Sequence, residues 1–392
     1  MTLSVAYLSQ GKLFLKLPDA SLRTIESEFG QTIQDRTLRM KRNKSWKDRG
    51  IQEMMLPPGM LAMMSQQPEA VVNVAITSLC NIEPGQLLYA LEAGEVGGIF
   101  TLNLENDREN RLFHNSEFQV GHLDYNRDRN LIACTVTHRT GISNIATMPI
   151  DGLRPNEVTE GDSIDLAPRW IPGKSKALVY QSAGVGRTSD GYIGDRTPFS
   201  IEKLDFDKQE VTTLAQDPKS DLMAAQIGTD GLLYYIRRPY RPNRKPLNIL
   251  QLLKDIVLFP LRLAYAILQW LNFFSMRYTG KPLTMAGTKQ TVDEKQLKLW
   301  GESIAPEKLR DRNFSEADAP SLVPRTWQLV RQATQGVPEV LAEGVLAYDL
   351  ALDGTIIYTN GSAIYAIRSD GSRDRLCVGN WIESVSILET DS

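Results

Sequence analysis

One short plan recurs in four stretches of the chain: apolar strand, turn at Gly or Asp, second apolar strand, hairpin, third strand, polar edge. The turns recur at a period of roughly 40 to 50 residues, and the two ends of the chain each hold a fragment of one further unit. Together these observations predict an all-β fold, a six-bladed β-propeller. In it the N- and C-terminal strands complete one blade, and a largely helical insertion interrupts another. Seven blades is the alternative.

Asp165 to Ser182 (DLAPRWIPGKSKALVYQS) states the plan most fully, and Leu123 to Thr135, Ala224 to Ile236 and Ala347 to Thr359 restate it with degenerate residues. First turns at Gly85, Asp128, Gly173, Gly231 and Gly354 are spaced by 43, 45, 58 and 123 residues, the last spacing being one repeat plus an insertion. A further unit emerges when Ile356 to Leu376 is aligned with Val5 to Ile25, because both are hairpins with Gly at the bend, Gly361 and Gly11. That leaves the N-terminal unit without its first strand and the C-terminus with a spare one, Ile382 to Leu388. Pairing the two ends removes free sheet edges.

The strand and turn pattern resembles that of TolB-like, WD-repeat-like propeller repeats, whose signature runs Asp, Pro, Trp, Pro, Gly and then an apolar strand ending in Ser. Asp165, Pro168, Trp170, Pro172, Gly173, Val179 and Ser182 match that order. Elsewhere the match thins: Tyr125 stands in place of the Trp, and neither Ala225 nor Tyr348 is followed by Pro-Gly. The resemblance covers roughly two-thirds of the chain and is specific for fold only; it implies protein partners and carries over no catalytic residue.

The 392 residues fit one closed propeller. A formal net charge of -3 excludes a design that binds polyanions globally, so no nucleic-acid partner is expected and any basic function is local. Cys80, Cys134 and Cys377 are odd in number and lie in apolar, strand-like contexts, which predicts buried thiols in a reducing compartment. Met1 to Leu17 lacks the charged and apolar regions of an export signal, and a cytoplasmic protein is expected.

Two insertions break the repeat of a domain that otherwise spans residues 1–392. The first, residues 31–70, does not alternate as a strand would. Its basic stretch includes Arg39, Lys41, Arg42, Lys44 and Trp46, either a solvated face or a contact for phosphate or anionic lipid, and Met54 to Met64 holds five Met. The second, residues 240–324, is expected between the strand at Leu232 to Ile236 and the strand at Trp327 to Arg331. Within it, Leu247 to Tyr278 is long, helical in period and very apolar, with Arg262 the only charge between Ile256 and Met276. Both ends of the insertion return to one blade, which rules out a single membrane crossing. In helical projection Gln251, Asp255, Arg262 and Gln269 cluster, leaving a wide apolar face, and Pro260 kinks or divides the helix near Phe259.

Arg237, Arg238, Arg241, Arg244 and Lys245 precede this segment, and Arg277 and Lys281 follow it, as anchors on an anionic surface would. Phe259, Leu263, Ile267, Trp270 and Phe274 supply the apolar contact to membrane or partner, in preference to packing on the propeller itself. The stretch from Thr284 to Ala319 is polar apart from LKLW at 297–300, and a short helix is predicted over 306–312.

Catalysis finds little support. His114, His122 and His138 lack the spacing of a zinc site, and no HExxH or GxSxG pattern occurs. The loop Gly184 to Asp195 is Gly-rich but lacks the Lys-Ser or Lys-Thr of a phosphate-binding loop; it is a long hairpin loop or the mouth of a ligand-binding face, with Arg187, Asp190, Asp195 and Arg196 as polar contacts. The expected function is a noncatalytic scaffold without cofactor or metal, docking peripherally on an anionic membrane surface and binding protein partners. The alternative is a propeller hydrolase or lyase whose site lies at the central channel, where two or more His or carboxylates would have to converge.

Overall fold

The computed structural model describes residues 3–17, 21–40, 73–116, 118–152, 154–173, 176–188, 193–242, 297–299, 302–304, 319–333 and 336–388. Their fold is all-β, a β-propeller built from antiparallel four-stranded meanders. The first sheet sets β1 (Ser4–Ser9), β2 (Lys12–Lys16) and β3 (Leu22–Ile25) beside the C-terminal β27 (Ile382–Leu388), in the order β27-β1-β2-β3. The second holds β4 (Val74–Glu83), β5 (Gln86–Ala93), β6 (Val96–Asn103) and β7 (Glu109–Ser116).

A nine-stranded sheet follows. It contains one meander of β8 (Gln119–Asn126), β9 (Leu131–Thr137), β10 (Ser143–Pro149) and β11 (Asn156–Glu157). A second meander comprises β12 (Ser163–Trp170), β13 (Ala177–Arg187), β15 (Ser200–Asp205) and β16 (Glu210–Ala215), with β14 (Ile193–Arg196) paired to the far end of β13. The two meanders join through a single parallel pair, Ser143 with Ile164.

β17 (Ser220–Ile227) and β18 (Leu233–Pro239) pair in turn with β21 (Gln328–Gln332) and β22 (Glu339–Glu343). The last sheet is β23 (Ala347–Leu350), β24 (Ile356–Thr359), β25 (Ala363–Ile367) and β26 (Arg373–Val378). Gly85, Asp128, Gly173, Gly231 and Gly354 each fall between the first and second strand of a meander.

Why these strands stack follows from their period of two. Successive side chains of a strand point to opposite faces, so a strand that is apolar on both faces serves two interfaces. Leu87, Tyr89 and Leu91 pack with Leu8, Leu13 and Leu15 of the first sheet, whereas Leu88 and Ala90, one residue out of phase, pack with Leu123, Ile132 and Cys134 of the next. The same alternation continues along the chain. Leu178 and Tyr180 meet Ala133 and Ile145, and Val179 meets Leu222 and Tyr235. Tyr234 and Ile236 meet Tyr348 and Ile356, and Ile357 meets Val5, Tyr7, Ile382 and Val385.

The inner strands β8, β12 and β17 each carry a bulge with one non-Gly residue in the left-handed region, His122, Ala167 and Ala224. A bulge leaves an amide without a ladder partner, and the preceding meander answers it: Ser78 Oγ accepts from Leu123 N at 2.8 Å, Thr135 Oγ1 from Ala167 N at 3.2 Å and Gln181 Oε1 from Ala224 N at 2.7 Å. At the bends Gly11 and Gly361 have φ of +73° and +91°, and an added Cβ would lie 2.8 Å from Ala75 Cβ and from Leu322 Cβ respectively. Only Gly serves there.

The chain divides into two compact units, residues 1–240 with 306–392, and residues 241–305. Of the second, the described part is a hairpin of β19 (Leu297–Leu299) and β20 (Glu302–Ile304), which pairs Leu and Lys of the LKLW motif with Glu302 to Ile304. Residues 28–40 form a helix, α1. Its N-terminus is capped by Ser27, and the carboxylate of Glu109 accepts the amides of Glu28 and Phe29, each at 3.1 Å, which places a negative charge at the positive end of the helix dipole. Phe29 packs on Phe100 and His114. Cys80 and Cys134 are buried free thiols; Cys377, expected to be buried, is only partly so because it lies on the outer strand β26.

Candidate functional site: a crowded face and a polar centre

Strands of a meander reverse direction at every step. The connections between second and third strands, and those from one sheet to the next, therefore leave from one face, and the remaining short turns occupy the other. Every long excursion of the chain belongs to the first class. Residues 26–73, with α1, link β3 to β4; β14 forms an arm between β13 and β15; the residues from Tyr240 to Trp327 link β18 to β21.

Contacts agree with that count. Gly94 N donates to Asn73 O at 3.3 Å, Leu322 N donates to Asn360 O at 2.9 Å, and the Tyr240 hydroxyl donates to Arg196 O. The arm is tied down by Arg187 to Asp162 at 2.5 Å, and a Cβ on Gly141 would lie 2.9 Å from Ile193 Cδ1. Beside the returning chain, a groove of about 550 Å³ is lined by Ala319, Ser321, Arg325, Leu341, Glu343 and Tyr358, among others.

The root of the arm and the outgoing stem of the insertion meet at Asp221, whose side chain is wholly buried. Arg196 reaches it through two nitrogens, at 2.8 and 2.9 Å, Arg238 Nε donates at 3.1 Å and Phe199 N at 3.0 Å. Arg196 also lies over the rings of Phe199 and Tyr240, and Arg238 over Trp327. Burial pushes the Asp221 carboxyl up, but the hydrogen bonds from Arg196 and Phe199 N and the charges of Arg196 and Arg238 outweigh it and leave the group below the ordinary Asp range. A depressed folded-state pKa makes the stabilisation present above about pH 4 and lost as pH falls through the folded value. Acid unfolding followed by circular dichroism is therefore expected to show a flatter stability profile below about pH 4 in Asp221→Asn than in the wild type.

Arg238 corrects a sequence expectation. Placed by its neighbours among surface anchors, it is instead fully buried, because β18 continues through Pro239 and turns its side chain towards Asp221. Arg237 is half-buried and donates to Gln328 Oε1 at 2.8 Å; Arg241 and, on α1, Arg39 are exposed. Asp190, Lys41, Arg42, Lys44, Trp46, Arg244, Lys245, Phe259, Leu263, Ile267, Trp270, Phe274, Arg277 and Lys281 lie outside the described residues, as do the predicted helix over 306–312 and the segment 247–278. No helix among the described residues is long and apolar enough to cross a membrane.

The second cluster lies where first strands converge: β8 touches β4 and β12, β12 touches β17, and β27 touches β23 and β4. There Arg169 of β12 places Nη1 3.2 Å from Asp124 Oδ1 of β8, and Nη2 3.6 Å from Asp349 Oδ1 of β23. Trp170 N donates to Asp124 Oδ2 at 2.6 Å and Ile387 N to Asp349 Oδ2 at 3.0 Å. Burial raises the Asp124 carboxyl against the pull of Arg169. His122, with Nδ1 3.3 Å from Thr135 Oγ1, is lowered to about 4 by burial and by Arg169, so at neutral pH it is uncharged. Cys80 is raised by burial and then by Asp124. Among the described residues, no group of three His, Cys, Asp or Glu could hold a metal ion.

Sequence reasoning missed both clusters. Asp221 sits outside the four repeated stretches and Asp349 lies in a degenerate one, and only the repeated position of first strands could have brought Asp124, Arg169 and Asp349 together.

No protein-family model matches the chain, and no curated protein matches it in sequence. Solved structures do match in shape. TolB from Acinetobacter baumannii aligns with a TM-score of 0.51 at 11% identity over 98% of this chain and 66% of its own, so the chain spans about two-thirds of that protein. A structure from a nidogen/laminin complex aligns with a TM-score of 0.52 at 8% identity over 99% of both chains. Identities this low speak for fold alone, and at that level the chain is a β-propeller that resembles TolB.

Proposed function

We propose that this chain is a noncatalytic six-bladed propeller scaffold that binds protein partners on its crowded face and docks peripherally on an anionic membrane surface in the cytoplasm. The observation that carries the reading is the gathering of the arm, α1 and both stems of the insertion on one face, over a rigid base whose other face has only short turns. Six blades are supported by the meanders, with β27 as first strand of the blade that holds β1 to β3, and by core packing that passes from each meander to the next and from the last to the first. Protein binding is also in keeping with the nidogen/laminin complex among the similar folds.

Membrane docking rests on the wide apolar face of 247–278, on Arg237, Arg241, Arg244, Lys245, Arg277 and Lys281 around it, and on the return of both stems to one face. Replacing Leu263, Ile267, Trp270 and Phe274 with Ser or Asn removes about 1.5–3 kcal/mol of transfer energy per large side chain if each is fully buried. The variant is expected to stop floating with anionic vesicles while its circular dichroism spectrum and melting stay those of the wild type. A wild type that never floats, or a variant that unfolds instead of detaching, sinks the membrane reading. For partner binding, cross-linking in solubilised membranes is expected to map to the arm and to α1; cross-links confined to the short-turn face would overturn that assignment.

A catalytic reading draws on two carboxylates from different meanders, Asp124 and Asp349, with His122 on the same strand as Asp124. It is the weaker reading because both carboxylates already bracket a guanidinium and accept main-chain amides. Turnover of an ester, glycoside or uronide panel that is abolished by Asp124→Asn or Asp349→Asn would restore it.

A further inference from the structure

Arg169 links parts of the fold that do not pack on one another. Its own meander adjoins those of β8 and β17, whereas Asp349 belongs to the meander beyond β17. If the meanders close into the six-bladed ring proposed above, on which the inference rests, the guanidinium crosses the central passage. Its side chain keeps 27% of its surface open, against 14% for Asp124 and 12% for Asp349.

The carboxylates are set independently of the cation. Each commits its Oδ2 to a main-chain amide, Trp170 N or Ile387 N, and aims its Oδ1 at a different guanidinium nitrogen. Two acceptors fixed from opposite sides fit the planar fork of a guanidinium better than the point charge of an ammonium.

We propose that Asp124 and Asp349 form a guanidinium-binding site, filled by the chain's own Arg169, which thereby bars the central passage. The class of external ligand that could take its place is an arginine side chain presented by a protein partner; such a ligand has to displace Arg169 first, so the internal cation acts as an autoinhibitory contact.

Chemical rescue tests this. Arg169→Ala empties the site, and the melting temperature is read with methylguanidinium, methylammonium or sodium chloride at about 20 mM, far below denaturing concentrations. With a millimolar site, methylguanidinium is expected to raise the variant's melting temperature by about 2–4 °C over the other salts. The gain is expected to be absent in the wild type and in Arg169→Ala/Asp349→Asn. Equal response to methylguanidinium and methylammonium, or an undiminished gain in the double variant, overturns the proposal. Should Arg169→Ala not fold, Arg169→Gln keeps the stem of the side chain and serves the same comparison. Removal of β27 tests the ring separately, so missing rescue in an intact ring counts against the receptor alone.

Discussion

Asp221→Ala is expected to destabilise the propeller by about 3–5 kcal/mol, the cost of leaving a buried ion pair with one partner removed. Here the cost falls at the upper end of that range because the carboxylate serves two cations. Asp221 and Arg238 have no side-chain exposure at all, and Arg196 only 17%. Removing the carboxylate leaves the Arg238 guanidinium buried against Trp327 without its ion pair to Asp221, and strands the Phe199 amide. Asp221→Asn keeps shape and part of the hydrogen bonding but not the charge, and is expected to lose less. The measurement is urea unfolding: the midpoint is expected to fall while the slope stays constant, since the surface exposed on unfolding does not change. A shift under about 1 kcal/mol would be the size of a surface pair and would mean that the node is dispensable. Because Arg196 roots the arm and Arg238 ends the outgoing stem, the same variant is expected to loosen both, seen as faster amide exchange over 193–200 and 237–240.

What the sequence made legible was the part governed by local rules. Turn residues and alternating strands placed every first turn from Gly85 to Gly354, and the unmatched strand Ile382 to Leu388 pointed to its place beside β1. Between the strands expected to flank the second insertion, β18 and β21 pair as the two halves of an otherwise ordinary hairpin. What stayed hidden depends on which strands meet in space. Arg238 reads as one more cation in the run Arg237, Arg238, Arg241, yet the pleat turns alternate residues to opposite faces, and only the neighbouring Asp221 decides which one is buried. Arg169 lies in the best-conforming repeat, next to Trp170, and nothing in its own segment specifies a partner 180 residues away, Asp349. Left-handed bulge residues were equally silent, since His122, Ala167 and Ala224 share a place in the strand and no residue type.

Ending the chain at Trp381 is expected to abolish cooperative folding. The deleted β27 contributes Ile382, Val385 and Leu388, all buried, to the cores on both sides of the first sheet. At about 1.5–3 kcal/mol each, their loss amounts to roughly 5–9 kcal/mol as an upper range. That is comparable with the entire stability of an ordinary domain, about 5–15 kcal/mol. The ladder with β1, from Ser4 opposite Leu388 to Ser9 opposite Ile382, disappears as well. Its loss leaves the N–H and C=O groups of β1 unpaired along an edge that the full chain covers. Two further ties go with it, Ile387 N to Asp349 and Ile382 N to Gly361 O, so the guanidinium site at the centre loses one of its fixed carboxylates. The truncated chain is expected to show a broad urea transition with a reduced slope and to aggregate through the exposed edge. A synthetic peptide of residues 380–392 added in trans is expected to restore a sharp transition in proportion to its concentration, because a strand that binds only the folded chain stabilises it by mass action. A truncated chain that unfolds with the midpoint and slope of the full chain, with no response to the peptide, would mean that β27 is an ornament on the first sheet and that the fold does not depend on it.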